Sequence, residues 1–329
     1  MGQLVDGTWR TDEVLAAASD GRWNRQRSTL RHWITRDGSP GPNGEDARPA
    51  AAGRYYLYAA WNCPWAHRTL LVRAFKRLED VIGVSFVAPR RTDQGWVFSP
   101  EDGYVDDLFE SSALHELYTR STPDYSGRVT VPILWDRERG NIVSNESADI
   151  VRMLGSAFDE VGANDLDLYP EPQRGEIDRW NARIHRDLNN GVYRAGFAST
   201  QEAYEEAVTA VFETLDAIEE HLKTAPFLAG DAATEADLRL LPTLFRFDVA
   251  YATAFKCSKK RIADYPQLWA YARRFYTRPE VAATVDFDIY RRGYHSPSPK
   301  RNPHGIVPIG PQPAWDVLET NERAWSPSR

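Results

Sequence analysis

Apolar and polar positions in the first half of the chain alternate between strand-length runs and segments of helical period. Short runs rich in aromatic and β-branched residues, each bounded by polar turns, predict strands at residues 54–60, 81–87, 129–136 and 141–144. Apolar residues at helical spacing predict helices at residues 64–78, 105–119 and 146–158. A strand, a helix and a second strand form a parallel crossover unit, so this order predicts an α/β domain that ends with a hairpin and a helix.

The second half of the chain has a different pattern. Residues 173–290 show helical periodicity and no convincing strand. The clearest helix spans residues 205–222 and has one apolar face, formed by Val208, Val211, Phe212, Leu215, Ile218 and Leu222. Thr234 and Asp237 precede another apolar run with the spacing of a capping box, in which Asp takes the place of Glu. We therefore expect an all-α domain here.

These patterns divide the chain into four parts. Residues 1–50 are polar and rich in Gly, Pro and Arg, and we expect an ordered extension with little regular structure. Residues 51–160 have the element order of a thioredoxin-like domain, and residues 173–290 form the helical domain. Residues 291–329 form a Pro- and Gly-rich tail that we expect to be extended.

Composition narrows the classes of function. The 329 residues carry a net charge of −7, which argues against a broad nucleic-acid surface. The longest apolar runs are too short to span a membrane, and the N-terminal sequence lacks a signal-peptide pattern. Two cysteines, Cys63 and Cys257, do not make a disulfide framework, so we expect a reducing cytoplasm. Cys and His residues show no metal-site spacing, so we expect no metal.

Cys63 has the most informative sequence context. It follows the apolar run at 54–60 and a short turn, and Pro64 stands where the first helix begins. A thiol at a helix N-terminus meets unpaired N–H groups and the positive end of the helix dipole, which favour the thiolate. We therefore predict a nucleophile. The alternative is a buried cysteine that serves as a small hydrophobic residue. His67, four residues on, could pair with the thiol, but a packing role is favoured.

Three further patterns could surround this thiol. Pro132 interrupts an apparently central strand, which favours a cis Val131–Pro132 bond over an edge strand with a trans proline. Glu146 and Ser147 lie at a strand-to-helix junction and could hold the ammonium and carboxylate of a γ-glutamyl group. Ordinary capping by Ser144 or Asn145 is an equal alternative. Tyrosines 193, 251 and 294 could bind and protonate a phenol near Cys63, although each alone is more typical of a core residue.

The chain resembles the glutathionyl-hydroquinone reductases, the Xi class of glutathione transferases, along nearly its whole length. The shared motifs, in order, are Cys63-Pro64-Trp65-Ala66-His67-Arg68, Gly95-Trp96-Val97-Phe98, Val131-Pro132-Ile133-Leu134-Trp135-Asp136, Ser144-Asn145-Glu146-Ser147 and Asn302-Pro303-His304-Gly305-Ile306-Val307-Pro308. The resemblance implies a glutathione transferase fold, with a thioredoxin-like domain before an all-α domain, and a homodimer. After Tyr294 the residues His295-Ser296-Pro297 depart from the family pattern.

The resemblance also implies a reaction and a set of site residues. Cys63 would attack the sulfur of a glutathionyl-hydroquinone, a small aromatic thioether, and a second glutathione would resolve the resulting mixed disulfide. Glutathione contacts would fall on Trp96, Arg128, Val131, Glu146 and Ser147, with Val131 acting through its backbone. Tyr193, Tyr251 and Tyr294 would form the hydroquinone pocket.

Several alternatives stay open at this stage. The same cysteine could serve an omega-like transferase that reduces dehydroascorbate or protein mixed disulfides. The Arg- and Asp-rich composition leaves room for another thiol cosubstrate, such as mycothiol. A non-catalytic interaction module on the same fold would be expected to lack the cysteine. Ala66 stands where a dithiol enzyme would place its second cysteine, so Cys63 should depend on an external thiol.

Overall fold

The computed structural model describes residues 2–11, 20–23, 27–299, 301–311 and 315. The chain separates into two compact units. Unit 1 comprises Met1–Ala16 and Arg27–Leu166, and unit 2 comprises Ala17–Gln26 and Asp167–Arg329, each as far as its residues are described. Parts of the predicted N-terminal extension, and the predicted tail beyond residue 311 apart from residue 315, lie outside the described residues.

The N-terminal extension has more regular structure than the sequence analysis predicted. It contains four three-residue strands, β1 (Gln3–Val5), β2 (Thr8–Arg10), β3 (Trp33–Thr35) and β4 (Ala47–Pro49). Strands β1 and β2 are antiparallel, whereas β3 and β4 are parallel. Asp6 and Gly7 have φ angles of 47° and 73°, as a two-residue hairpin turn requires. The Asp-Gly pair therefore carried a hairpin signal that our expectation of little regular structure overlooked.

The core of unit 1 is one four-stranded sheet. Its strands are β5 (Tyr55–Ala59), β6 (Gly83–Phe86), β7 (Ile133–Asp136) and β8 (Asn141–Ser144). Their spatial order is β6-β5-β7-β8, with β5 parallel to β6 and antiparallel to β7, which pairs antiparallel with β8. Backbone bonds from His32 to Val143 and from Asn145 to Leu30 run along the free side of β8 and cover part of that edge. The predicted thioredoxin-like sheet is confirmed.

Strand β5 is fully buried, and its tyrosines need hydrogen-bond partners inside the core. The Tyr55 hydroxyl donates to the Pro49 carbonyl at 2.6 Å. Tyr58 donates to Asp106, also a buried residue, at 2.7 Å. These bonds fix the strand that leads into Cys63.

The helices of unit 1 are α1 (Pro64–Phe75), α2 (Leu114–Ser121) and α3 (Ser147–Ser156). Helix α2 is shorter than the predicted 105–119, and the first nine of those residues are not helical. The reason is Asp106, whose carboxylate accepts hydrogen bonds from the amides of Leu108, Phe109 and Ser111. A short acidic side chain that binds nearby amides competes with helix formation.

Unit 2 is all-α within its described residues. Its helices are α4 (Arg174–Arg183), α5 (Gly191–Phe197), α6 (Gln201–His221), α7 (Glu235–Arg246), α8 (Ala252–Ala254), α9 (Pro266–Tyr276), α10 (Pro279–Ala282) and α11 (Phe287–Tyr294). Two π-helical turns, Ile184–Asn189 and Phe247–Tyr251, precede α5 and α8. Such turns often mark functional sites because they redirect side chains within a helical path.

The predicted capping box at the start of α7 is confirmed. The Thr234 amide and hydroxyl donate to Asp237 at 2.8 and 3.0 Å. The same carboxylate accepts from the Leu228 amide and the Tyr271 hydroxyl. Burial raises the pKa of Asp237 despite these donors. No described helix is long and apolar enough to cross a membrane.

Candidate active site

Cys63 occupies the position that its sequence context predicted, between strand β5 and helix α1. It is the N-cap residue of α1, with φ −85° and ψ 116°, and Pro64 follows as the first helical residue. Its carbonyl accepts the amide of His67 at 3.0 Å, as the start of a helix requires. Its side chain makes no capping hydrogen bond with the amides of the helix, so capping does not occupy the sulfur. The half-buried thiol therefore sits at the positive end of a twelve-residue helix.

The Cys63 thiol contacts the segment that precedes β7. Its Sγ donates to the carbonyl oxygen of Val131 at 3.5 Å. The Val131–Pro132 bond is cis, as predicted, and β7 begins directly after it. The backbone of Val131 and the Cys63 thiol therefore lie together in unit 1.

Glu146 and Ser147 lie at the start of α3. Glu146 is itself the N-cap, and its carboxylate accepts the Ala148 amide at 3.1 Å and the Ser28 hydroxyl at 3.0 Å. Ser144 supports this cap, because its hydroxyl accepts the Glu146 amide at 3.1 Å. Ser147 is the first residue of the helix and is 4% exposed. The capping role that we attributed to Ser144 or Asn145 thus belongs chiefly to Glu146.

Tyr118 connects two backbone segments of the candidate site, and the sequence analysis missed it. Its hydroxyl donates to the Thr130 carbonyl at 2.9 Å and accepts the Thr130 amide at 3.2 Å. The Asn145 side chain also donates to it at 3.3 Å. One buried hydroxyl therefore ties the residue before Val131 to the residue before Glu146. Burial raises the pKa of Tyr118 to about 12, so this hydroxyl keeps its proton near neutral pH. Nothing in the local sequence distinguishes it from a core tyrosine on α2.

Trp96 is buried, at 5% exposure, and its indole Nε1 has no hydrogen-bond partner within the described part of the chain. A buried N–H without a partner costs about 1–3 kcal/mol, so this donor fits an acceptor on a bound ligand. The Trp96 carbonyl accepts the Leu114 amide at 2.9 Å, which fixes the backbone against α2. Arg128 is half-buried, and its carbonyl accepts the Tyr125 hydroxyl at 3.4 Å.

The hairpin β1–β2 supports the loop before Trp96. Trp9 donates from Nε1 to the Asp93 carbonyl at 2.9 Å and stacks on His115 at 4.8 Å between ring centroids. Gly95 has φ 76°, and a Cβ there would lie 2.9 Å from the Trp9 ring. The N-terminal extension therefore contributes to the predicted glutathione contact.

In unit 2 the structure brings the three predicted tyrosines together. The Tyr294 hydroxyl lies 2.6 Å from that of Tyr193 and 3.2 Å from that of Tyr251. These residues come from α5, from the π-helical turn before α8 and from the end of α11. We call Tyr193, Tyr251 and Tyr294 the tyrosine cluster.

Burial and the charge of Arg246 have opposite effects on the pKa values of Tyr251 and Tyr294. Burial raises the pKa of Tyr251 and of Tyr294 well above the ordinary value, and Tyr193 raises both further. The fully buried Arg246 opposes this rise. The Tyr251 and Tyr294 hydroxyls are therefore protonated at neutral pH and can donate to a ligand oxygen.

His67 and Cys257 are both buried, as expected for residues that pack in the core. His67 is 1% exposed within α1, which agrees with the predicted packing role. Cys257 is fully buried, and burial raises the pKa of its thiol to about 12. The described residues contain no group of three His, Cys, Asp or Glu side chains that could hold a metal ion.

A thioredoxin-like sheet with a cysteine at its first helix, followed in the chain by an all-α unit, defines a glutathione transferase of the cysteine type. Residues 62–157 match the family model "Glutathione S-transferase, N-terminal domain", and residues 201–274 match "Glutathione S-transferase, C-terminal domain".

Whole-chain comparisons place the protein more narrowly. The glutathionyl-hydroquinone reductase YqjG of Escherichia coli is 47% identical over 97% of both chains. The glutathionyl-hydroquinone reductase PcpF of Sphingobium chlorophenolicum is 48% identical over 94% of this chain and 96% of its own. The structure of a Xi-class glutathione transferase from Natrialba magadii superposes with a TM-score of 0.88 at 43% identity, over 97% of this chain and 96% of its own. This chain therefore belongs to the glutathionyl-hydroquinone reductase family, the Xi class of glutathione transferases.

Proposed function

We propose that this protein reduces glutathionyl-hydroquinones to hydroquinones with glutathione as cosubstrate, through a mixed disulfide on Cys63. The observation that carries the proposal is the position of Cys63. It stands at the N-terminus of α1 with its sulfur at the Val131 carbonyl, in a chain that matches two glutathionyl-hydroquinone reductases over nearly its full length. A conventional conjugating transferase would activate glutathione with Ser or Tyr, whereas a cysteine forms a disulfide with it.

The proposed reaction has two steps, and in each a thiolate attacks a sulfur atom. The Cys63 thiolate attacks the glutathionyl sulfur, an S–S bond forms, and the bond from that sulfur to the ring carbon breaks. The electron pair stays on the ring, which takes up a proton and leaves as the hydroquinone. The thiolate of a second glutathione then attacks the mixed disulfide and releases glutathione disulfide and the Cys63 thiolate. One glutathionyl-hydroquinone and one glutathione thus yield one hydroquinone and one glutathione disulfide.

Unit 1 offers a binding group for each part of glutathione. The unpartnered Nε1 of Trp96 is a donor for a carbonyl or carboxylate oxygen. Ser147 and the N-terminal amides of α3 suit the γ-glutamyl carboxylate, and Glu146 suits its ammonium group. Val131 would bind through its backbone and Arg128 through its charge. The glutathione-bound structure of YqjG, with a TM-score of 0.88, supports glutathione as the ligand.

The tyrosine cluster would bind the hydroquinone. Its hydroxyls converge on Tyr294, and two of the three belong to tyrosines whose raised pKa keeps them protonated. They can donate hydrogen bonds to a phenolic oxygen, and one of them can supply the proton that the ring takes up and then regain it from solvent.

The assay that tests this proposal compares thiols and acceptors side by side. We expect turnover of a glutathionyl-hydroquinone with glutathione and little with mycothiol. Preference for mycothiol would make mycothiol the cosubstrate in place of glutathione. Turnover of dehydroascorbate alone would favour an omega-like activity. Failure with every glutathionyl-hydroquinone would contradict the proposal.

Assembly and location are further parts of the proposal. Membership of the family supports a homodimer, and the two unpaired cysteines support a cytoplasmic location. Light scattering on the purified protein tests the first, and a monomer mass would contradict it. Fractionation of the native host tests the second.

A further inference from the structure

We propose that the tyrosine cluster binds its phenolic ligand as the phenolate anion, with Arg246 beneath it and Arg301 beside it as the two cations that select this charge. The inference deepens the proposed function and rests on it, because the phenol in question is the departing hydroquinone. Arg301 belongs to none of the motifs that carry the family resemblance.

Arg246 supplies a positive charge from below the tyrosine cluster. The residue is fully buried at the end of α7, immediately before the π-helical turn that carries Tyr251. Its guanidinium donates to the Pro242 carbonyl at 2.9 Å and lies 3.7 Å from the ring centroid of Tyr290. Tyr290 precedes Tyr294 by one helical turn on α11, so both rings share one face. In a poorly solvated interior such a charge acts strongly on nearby oxygens.

Arg301 supplies a second positive charge from the tail. Its guanidinium lies 4.3 Å from the ring centroid of Phe197 and 5.8 Å from that of Phe255. Phe255 in turn contacts all three members of the tyrosine cluster, with ring centroids 5.2 to 5.5 Å apart. Partial burial lowers the pKa of Arg301, and the nearby Tyr193 and Tyr294 oppose this shift.

The backbone around Arg301 is held in a fixed turn. The Arg301 amide donates to the Ser298 carbonyl at 3.2 Å, and Ser298 and Asn302 exchange two backbone bonds of 3.0 Å. The Asn302 side chain donates to the His295 carbonyl, which ties the turn to the end of α11. Because Tyr294 is the last residue of α11, the turn keeps Arg301 close to the tyrosine cluster.

The surroundings of the hydroxyls suit a flat anion. The neighbouring side chains are aromatic: Trp23 stacks on Tyr193 and on Phe197 at 5.9 and 5.8 Å between centroids. Arg246 and Arg301 bring two positive charges to the aromatic residues that pack around these protonated hydroxyls. Cations and O–H donors both stabilise a phenolate more than a neutral phenol.

The test uses 4-nitrophenol, whose phenolate absorbs visible light and whose neutral form does not. The full-length protein is titrated with it at a pH where both forms are present in solution. For the wild type we expect the visible absorbance to rise on binding, because the bound ligand is the phenolate. Tyr294→Phe should weaken this signal, which locates the ligand at the tyrosine cluster.

Arg301→Gln is the decisive variant, since Arg301 is exposed and its replacement should leave the fold intact. We expect it to weaken 4-nitrophenol binding about tenfold, the size of one charge-assisted contact, and to lower the bound phenolate fraction. Binding of 4-nitroanisole, which cannot ionise, should not change. Arg292→Gln is the matched control, because Arg292 is an exposed arginine on α11 that pairs with Asp288.

Two results would overturn the inference. One is binding of 4-nitrophenol to the wild type as the neutral phenol, and the other is an Arg301→Gln variant with wild-type affinity and absorbance. Turnover of glutathionyl-hydroquinone on the same samples separates this failure from that of the proposed function. An enzyme that turns over but binds neutral phenol refutes only the charge selection, whereas phenolate binding without turnover refutes only the proposed reaction.

Discussion

The two units of this protein position their candidate site groups in different ways. Unit 1 places Cys63, Val131 and Ser147 at helix starts and beside a cis-proline, where the backbone itself supplies much of the polar environment. Unit 2 assembles side-chain hydroxyls from separate helical segments around Tyr294. Groups that depend on backbone position lie in contiguous motifs, whereas groups that depend on packing lie far apart in sequence.

Replacing Cys63 in unit 1 should lower turnover more than any other substitution proposed here. We expect Cys63→Ser to lower turnover of a glutathionyl-hydroquinone more than about a thousand-fold, since the hydroxyl cannot form the mixed disulfide. Steady-state release of hydroquinone measures this. Activity within tenfold of the wild type would show that unit 1 does not supply the nucleophile.

Removing one hydroxyl from unit 2 should have a smaller effect. Tyr294→Phe deletes the central member of the tyrosine cluster, and we expect kcat/KM for the glutathionyl-hydroquinone to fall about a hundred-fold, a typical contribution of one acid–base group. Tyr290→Phe is the control, since that buried tyrosine on the same helix donates instead to the Thr284 carbonyl. Equal losses in both variants would indicate a packing effect rather than a role of the Tyr294 hydroxyl.

Tyr118→Phe tests how unit 1 positions its thiol ligand. Loss of the hydroxyl frees the segments before Val131 and Glu146 from each other, so we expect KM for glutathione to rise about tenfold with kcat nearly unchanged. Tyr55→Phe, which removes a hydroxyl that donates to the Pro49 carbonyl, should leave KM unchanged. A fall in kcat alone would contradict the assignment of Tyr118 as a positioning residue.

Cys257 should give the smallest effect. We expect Cys257→Ser to keep turnover within about twofold, because Ala66 replaces the second thiol of a dithiol motif and one cysteine suffices. Burial raises the pKa of Cys257 to about 12, so this thiol is protonated at neutral pH. Its labelling by iodoacetamide in the folded protein should therefore be slow at pH 7. Fast labelling at pH 7 would contradict its burial.

The sequence predicted the candidate site residues of unit 1 better than those of unit 2, because the former lie in contiguous motifs and the latter do not. Apolar runs and the Cys-Pro pair determine β5, α1 and the position of Cys63 locally, and the cis-proline followed from a strand that could not otherwise accommodate Pro132. Local pattern failed at residues 105–113, where the buried Asp106 binds amides that a helix would have used. It also failed at Asp6-Gly7, where the turn signal was present but was not used.

The tyrosine cluster required knowledge of the family, because no spacing links residues 193, 251 and 294. Their convergence depends on a π-helical turn and on how α11 packs in unit 2, neither of which a single sequence displays. Tyr118 and Arg301 were missed for a related reason. Each acts through tertiary contacts and carries no local signature in the sequence.

The most direct measurement is the mass of the peptides that contain Cys63 and Cys257 after a single turnover. The wild type is mixed with one equivalent of glutathionyl-hydroquinone without free glutathione, then acid-quenched and digested. Our account predicts the added mass of one glutathionyl group on Cys63, removable by glutathione, and one equivalent of free hydroquinone. An adduct that retains the aromatic ring, or a glutathionyl group on Cys257, would contradict it.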